Sequence, residues 1–298
     1  MNEYKIIVNP TSRNVEQKLS VAEDMLNHNN LNYSVYFTKA RGDAETATRK
    51  FIRQGWRTFV VVGGDGTISE VINGFYEGGD LINKDLSLGI IPNGSANDFA
   101  LNLGIPLDAR GSCMRILQGK IKRVDLIQVE CNHTRRLCQM DAGLGLSSEV
   151  LKRRRRKGKI INGLFMYLIL ALKTLLKYKN KTVRYVIDNK AVDINTTLFV
   201  ISNGMYYLDV KFRPEAKMND SLFEVTVLHD MKWWEILWGA LVWLVRGRIP
   251  AIAKIKVMQA REVWVRSKKA LKLNIGGELM GTTPARFSIV PKALRVIC

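Results

Sequence analysis

The chain has 298 residues, 47% of them hydrophobic, enough to bury a sizeable core and to divide into two domains. Lys and Arg outnumber Asp and Glu by 46 to 27, a formal charge of +19 that calls for a polyanionic partner: nucleic acid, an anionic membrane or phosphate ligands. Cys113, Cys131, Cys138 and Cys298 make no C-x-x-C pair or disulfide framework, and His28, His133 and His229 are too scattered for a zinc site. With no zinc-finger, RRM or KH signature and no visible signal peptide, the expectation is a reduced, intracellular protein.

In chain order, residues 5–8 read as a strand that stops at Asn9-Pro10-Thr11-Ser12, a turn with helix-capping chemistry. A helix is expected over 15–27, a strand over 33–38 and a helix over 43–54. The buried-strand run 58–62 then leads into Gly63-Gly64-Asp65-Gly66-Thr67 and a helix over 68–75. A second apolar run, 86–91, ends in Pro92-Asn93-Gly94-Ser95-Ala96-Asn97-Asp98-Phe99. Alternating strands and helices predict a parallel α/β sheet, whose ligands bind beyond the carboxyl ends of the strands. Both glycine-containing turns fall there. Glycines at 63, 64 and 66 permit positive φ and close approach of the main chain to a ligand. Helix-start amides favour phosphate, and Asp65 would repel phosphate unless a cation such as magnesium intervenes. Neither a P-loop nor a G-x-G-x-x-G fingerprint is present. One such turn alone reads equally well as an ordinary strand-to-helix connection; two acid-bearing turns after consecutive strands favour a nucleoside triphosphate.

A helix over 109–118 and the segment 122–126 follow. From Asp125 the pattern changes to short alternating runs, 126–130, 182–187, 197–202, 222–228, 262–266 and 271–275, which predict a β-sandwich. Two stretches interrupt it. One is the basic run Lys152-Arg153-Arg154-Arg155-Arg156-Lys157 with the apolar segment 164–172 beyond it; the other is 233–245, carrying Trp233, Trp234, Trp238 and Trp243. Both apolar segments fall short of the ~18–20 residues that span a bilayer as a helix. They fit helices packed on the sandwich or lying at a membrane interface.

The pair G-G-D-G-T and P-x-G-[ST]-x-N-D resembles the catalytic domain of bacterial diacylglycerol kinases and related lipid kinases, a group that includes sphingosine kinase-like enzymes. NAD kinases and phosphofructokinases are similar in the first turn, but residues 92–98 look like the lipid-kinase branch. The resemblance runs from Asn9 to Glu278. It implies an α/β N-terminal domain with a parallel sheet, NAD kinase-like, over 1–124, and a C-terminal β-sandwich domain with inserted helices over 125–298, the extreme C-terminal tail being able to return to the first domain.

Carried over by resemblance, the nucleotide ATP is held by Asn9, Pro10, Thr11, Ser12, Arg13 (where glycine is usual), Thr38, Gly64, Asp65, Gly66, Thr67, Ile68, Ser69, Glu70 and Ser95. Asp65, Asp98 and Asp125 are the candidates to position catalytic magnesium or the charges around it, although Asp125 reads equally as a strand-edge aspartate. Glu278 matches the family's proposed general base, in a D-G-E turn whose aspartate is here Gly276. If the strand extends that far, Gly276 and Glu278 share a face, and the missing carboxylate predicts a slow kinase. The turn 214–222 is similar to one that holds a structural magnesium, through Lys217 (carbonyl), Asp220 (side chain) and Leu222 (carbonyl), with Ser221 in place of glycine; the alternative there is an Asx turn.

The activity implied is ATP-dependent phosphorylation of the hydroxyl of diacylglycerol, or a related membrane lipid, to give phosphatidic acid. The protein is then expected to be cytoplasmic and peripherally associated with an anionic membrane surface. No specific nucleic acid is expected, and a homodimer is left open. Two other readings are a NAD kinase-like enzyme with a soluble acceptor, and a catalytically weakened lipid- or nucleic-acid-binding protein.

Overall fold

The computed structural model describes residues 3–156, 164–207, 210–211, 215–246 and 252–298. The chain divides into two compact units, residues 1–125 with 291–298, and residues 126–290.

In the first unit the elements are β1 (Glu3–Val8), α1 (Val15–His28), β2 (Asn32–Phe37), α2 (Asp43–Arg53), β3 (Thr58–Gly63), α3 (Asp65–Gly74), the two-residue strands β4 (Tyr76–Glu77) and β5 (Asp80–Leu81), β6 (Ser87–Pro92), α4 (Asp98–Leu103), α5 (Ala109–Gln118) and the start of β7 (Ile121–Cys131). The sheet is parallel in the order β6-β3-β1-β2, with Tyr4 opposite both Thr58 and Tyr33 and Thr58 opposite Ser87. Its strands are continuous apolar runs because both faces are covered. On one face Ile6, Val8, Val60, Val62 and Ile91 meet the apolar stripes of α1 and α5 (Val15, Leu19, Ala22, Leu26, Cys113, Ile116). α2 and α3 pack on each other, their apolar residues recurring at helical spacing. The strand order reverses at β1, so the switch point of this sheet falls between the carboxyl ends of β1 and β3. The end of the chain also belongs to this unit, Val296 pairing in parallel with Leu88.

The second unit is built from the remainder of β7, then β8 (Thr134–Cys138), β9 (Asp141–Gly145), α6 (Leu146–Arg156), α7 (Leu164–Leu175), β10 (Lys181–Ile187), β11 (Lys190–Ser202), β12 (Tyr206–Tyr207), β13 (Val210–Lys211), β14 (Phe223–His229), α8 (Trp233–Arg246), β15 (Ile255–Ala260), β16 (Glu262–Ser267), β17 (Lys272–Ile275), β18 (Glu278–Thr282) and most of β19 (Ala285–Ile297). The long strand β11 serves two layers. Its first half pairs with β10, which leads to β16, β19, β7 and β8; after an irregularity between Thr196 and Leu198 its second half pairs with β9 and β14. Alternate residues of both layers, among them Val129, Tyr185, Phe199, Phe223, Val265, Leu273 and Phe287, form one core. The expected α/β-plus-sandwich architecture is the observed one. Residues 152–156 of the basic run lie in α6, and Lys157 falls outside the described residues. No described helix is long and apolar enough to cross a membrane.

Candidate functional site

Every strand of the parallel sheet delivers a polar turn at its carboxyl end. After β1, the Asn9 carboxamide oxygen accepts the Thr11 amide (3.1 Å) and hydroxyl (2.9 Å), while its Nδ2 reaches Thr67 Oγ1 at 3.4 Å. The first turn is thereby tied to the second across the switch point. Pro10, Thr11 and Arg13 are exposed around it and Ser12 is half-buried. After β2, the Thr38 amide donates to Val8 O at 2.9 Å. After β3 and β6 the turns meet back to back: Asn93 N donates to Gly63 O at 2.8 Å, and a Cβ built on Gly64 would fall 2.8 Å from Gly94 Cα. This corrects the expected reason for the glycines. Gly64 has φ −95, and neither Gly63 nor Gly66 has positive φ. Gly64 is required by the contact with Gly94, whereas a Cβ on Gly66 would meet nothing within 4 Å.

Three acidic residues of this unit bind backbone amides through their carboxylates. Asp65 Oδ1 accepts the Phe99 amide at 3.1 Å and Oδ2 the Asp98 amide at 3.2 Å, so one carboxylate caps the start of α4. Burial pushes the Asp65 carboxyl up, the neighbouring Asp98 carboxylate adds to the rise, and the amide donors oppose it. Asp98 itself is 9% exposed. Glu70 points to the start of α2, accepting the amides of Gly42 (2.8 Å) and Ala44 (3.2 Å). Asp125, fully buried, accepts the Lys292 amide at 2.6 Å and so anchors the returning chain end within this unit. Ile68 is a core residue of α3, Ser69 is half-buried, and Ser95 is exposed on the second turn.

Three residues of this mouth were absent from the sequence-derived set. Asn97, at φ 57, closes its turn by accepting the Gly94 amide (2.7 Å) and donating to Gly94 O (3.1 Å). Its place in P-x-G-[ST]-x-N-D was the available signal. Asn93 Nδ2 is buried with no partner among the described residues. Lys18 of α1 donates to Pro92 O and, at 2.9 Å, to Leu107 O, a long-range tie with no local signature.

In the second unit, Glu278 opens β18 opposite Ile275 and is half-buried. Gly276 (φ 55) and Gly277 (φ 79) form a two-residue hairpin turn before it, and Gly276 N donates to Asp141 O at 2.8 Å. The strand therefore ends at Ile275, and Gly276 does not share a strand face with Glu278. At the other expected metal turn, Asp220 Oδ1 accepts the Leu222 amide at 3.1 Å, an Asx turn, and Ser221 holds the left-handed region at φ 63. Lys217 is exposed; Pro214 lies outside the described residues.

A phosphate-bearing ligand fits the first unit: the space over Gly66 is open, Asn93 offers a buried donor without a partner, and the first-turn amides of α3 have no acceptor within their helix. Among the described residues no group of three or more His, Cys, Asp or Glu could hold a metal. Magnesium takes one or two carboxylates plus waters and phosphates, for which Asp65 and Asp98 suffice in number.

Residues 3–129 match the family described as the diacylglycerol kinase catalytic domain, and residues 142–298 match the YegS C-terminal NAD kinase beta sandwich-like domain. A diacylglycerol kinase of Staphylococcus saprophyticus is 30% identical over 288 residues, covering 95% of this chain and 91% of its own. One from Staphylococcus carnosus is 29% identical over 95% of this chain and 90% of its own. A solved structure of a diacylglycerol kinase from Bacillus anthracis str. Sterne shares the fold, with a TM-score of 0.76 at 18% identity over 99% of this chain and 96% of that one. Fold and turns together define a two-unit kinase of the NAD kinase-like architecture. The chain belongs to the diacylglycerol kinase family.

Proposed function

We propose that the protein is an ATP-dependent lipid kinase that phosphorylates the hydroxyl of diacylglycerol or a related membrane lipid. The observation that carries this reading is the pair of turns locked through Gly64, Gly94 and Asp65, beside an open α3 N-terminus and the unpartnered Asn93 amide. The first unit holds the nucleotide phosphates against backbone amides, with Asn9 and Thr67 fixing the turn that receives them. Magnesium, when bound near Asp65 and Asp98, neutralises phosphate charge. Glu278 accepts the proton of the acceptor hydroxyl as its oxygen bonds to the γ-phosphorus and the bond to the ADP oxygen breaks. Positioning and charge neutralisation are the main demands of phosphoryl transfer, so this set suffices.

Peripheral association with an anionic bilayer is part of the same reading. Trp234, Trp238, Leu241 and Val245 recur at helical spacing on α8 and are 49%, 55%, 61% and 83% exposed. The helix's acid, Glu235, is paired with Lys254 at 2.7 Å, and the Lys232 ammonium lies 4.8 Å from the Trp234 ring. An apolar stripe with interfacial Trp and basic neighbours suits the headgroup boundary.

The test is transfer of label from γ-labelled ATP to a lipid panel and to NAD. Wild type should label diacylglycerol or a relative of it, and Glu278→Gln should lower the rate at least ~100-fold, the lower end for general-base loss. Label on NAD without lipid would move the protein to the soluble-acceptor class. Transfer to nothing would leave a binding protein.

A further inference from the structure

Pro92 closes β6 and opens the second turn of the mouth, and the sheet holds it poorly. It has no N–H to give to a ladder. The next residue, Asn93, donates to Gly63 O on the side of β3, so the Pro92 carbonyl points to the other side of the strand. There the pairing with β19 sets Val296 opposite Leu88, further back along β6. Pro92 is buried, and a buried carbonyl left without a donor is costly. A side chain from the helix layer meets it instead: Lys18 Nζ of α1 donates to Pro92 O.

The same ammonium donates to Leu107 O at 2.9 Å. Leu107 precedes Asp108, whose carboxylate caps α5 by accepting the Gly111 amide at 2.7 Å. α1 and α5 pack on each other, Val15 and Leu19 sharing one apolar cluster with Cys113 and Ile116. Lys18 thus joins the end of β6 to a packed helix pair. It turns its charge inward to do so. The side chain is half-buried, and burial pushes its pKa down while the Asp108 carboxylate opposes the fall. A lysine ordinarily keeps its head in water, and ordering this one between two neutral carbonyls costs both rotamer freedom and hydration. Those costs fall at the turn with the least room to move, where Asn93 follows directly and Gly94 lies against Gly64.

We propose that Lys18 is a positioning residue for the nucleotide: held between Pro92 O and Leu107 O, its ammonium fixes the second turn where the Asn93 amide meets phosphate. The inference rests on the kinase reading and adds to it a residue that acts through the turn rather than on the ligand. Asp65 ties this turn to α3 from one side, through the amides of Asp98 and Phe99, and Lys18 ties it to α1 and α5 from the other. With Lys18 gone, the Pro92 carbonyl is unpaired and the turn keeps only the first of these ties.

The experiment sets Lys18→Met against Arg49→Met. Arg49 is also a cation tied to two carbonyls of the same unit, Tyr76 O and Asn73 O, each at 3.1 Å, but it braces the far end of α3, about 15 Å from the helix start. Methionine keeps most of either stem and removes every donor. Each protein is assayed well below its own melting temperature, with ATP and diacylglycerol varied in turn, and ADP binding is measured by calorimetry without lipid. Lys18→Met should raise KM for ATP and Kd for ADP by ~10-fold, below the ~100-fold that a 1 Å misplacement of reacting groups can cost. KM for diacylglycerol should stay within about 2-fold of wild type, the split expected when only nucleotide binding is disturbed. Arg49→Met should melt lower than wild type and keep both nucleotide constants. Should Lys18→Met fail to fold, Lys18→Gln, polar and shorter, carries the same comparison. If the Lys18 variant binds ATP and ADP as wild type does, or Arg49→Met weakens them equally, Lys18 is a general brace and the inference falls while the kinase reading stands. If wild type neither binds ADP nor transfers label, both fall.

Discussion

Two polar regions of this molecule handle the same problem in opposite ways. At the mouth of the parallel sheet, Asp65, Glu70, Asn9 and Asn97 all bond backbone amides within their own unit. In the sandwich unit, the side-chain oxygens of Ser202, Thr226, Asn274 and Ser148 are buried and have no partner among the described residues. The first arrangement fixes loops in one shape before a ligand arrives, which is what placing phosphates requires. The second leaves buried oxygens unmatched, which fixes nothing in place. A carboxylate near a nucleotide is therefore not automatically a ligand of it: Asp65 caps α4 and Glu70 caps the start of α2, so each is at least a builder of the mouth.

The strongest way to break the first arrangement is at the glycine contact. Gly64→Ala puts a Cβ 2.8 Å from Gly94 Cα, backbone against backbone, with no flexible side chain to yield. The turns must separate, which costs about 1–3 kcal/mol by analogy with overpacked cores. A shift of that kind near phosphate should lower transfer ~100-fold. Gly66→Ala supplies the contrast, since nothing lies within 4 Å of its added methyl. It should melt about as wild type or slightly higher, helix interiors favouring Ala over Gly by roughly 0.5–1 kcal/mol. Its KM for ATP should nevertheless rise, because the methyl occupies the open space over α3. Equal ATP kinetics in Gly66→Ala and wild type would remove the phosphates from that space.

Asp65 gives a smaller, pH-dependent effect. Its carboxyl is pushed up in the folded state, chiefly by burial. The folded protein then binds more protons than the unfolded chain between the unfolded value near ~3.9 and the folded one. Stability from this group should thus be greatest below the unfolded value, fall as pH rises through the folded value, and be flat above it. Asp65→Asn should flatten that slope. It should also lower the melting temperature at neutral pH, because an amide group replaces one of two acceptors and leaves a helix-start N–H unpaired, a loss of about 1 kcal/mol. Urea melts between pH 4 and 8 measure both, and an identical slope in the variant would assign the pH dependence elsewhere.

Much of the first unit was legible because its local signals agree. Apolar runs end in Asn-Pro or glycine turns, and the following helices repeat at 3.6 residues; the helix over 109–118 was placed at its observed bounds. What was missed there was long-range: that Gly64 and Gly94 touch, or that Glu70 reaches α2, is invisible in local pattern. The second unit was read as a sandwich from six runs, yet β8, β9, β15, β18 and β19 were not among them. β9 reads Asp-Ala-Gly-Leu-Gly, with no alternation to find, because Gly143 lets the β11 backbone close in: its Cβ would lie 2.3 Å from Phe199 O. β19 hides behind Pro291 and Lys292, the latter at φ 50. That Gln259, Glu224, Ser202 and Asp141 lie side by side could not be read either, since it exists only in the register of strands far apart in sequence.

The smallest effect is at the turn 217–222, which can be made to resemble either region. Ser221 holds φ 63, where a Cβ costs roughly 1–2 kcal/mol, and Ser221→Gly removes that cost. Glycine also loosens the unfolded chain by about 0.4–1 kcal/mol, so the net gain is a fraction of a kcal/mol and a rise in melting temperature of ~1–2 °C. The Asp220 carboxylate already bonds the Leu222 amide through Oδ1. If that Asx turn is all it does, EDTA leaves the melting temperature of wild type and Ser221→Gly unchanged, and Asp220→Ala costs only a local hydrogen bond, about 0.5–1.5 kcal/mol. If a structural magnesium is held by Asp220 with the carbonyls of Lys217 and Leu222, EDTA lowers the melt of wild type, magnesium restores it, and Asp220→Ala is insensitive to both. The Asp220 result alone cannot separate these, because both readings lose stability; the response to EDTA in Ser221→Gly does, since relieving the backbone leaves every proposed metal ligand in place.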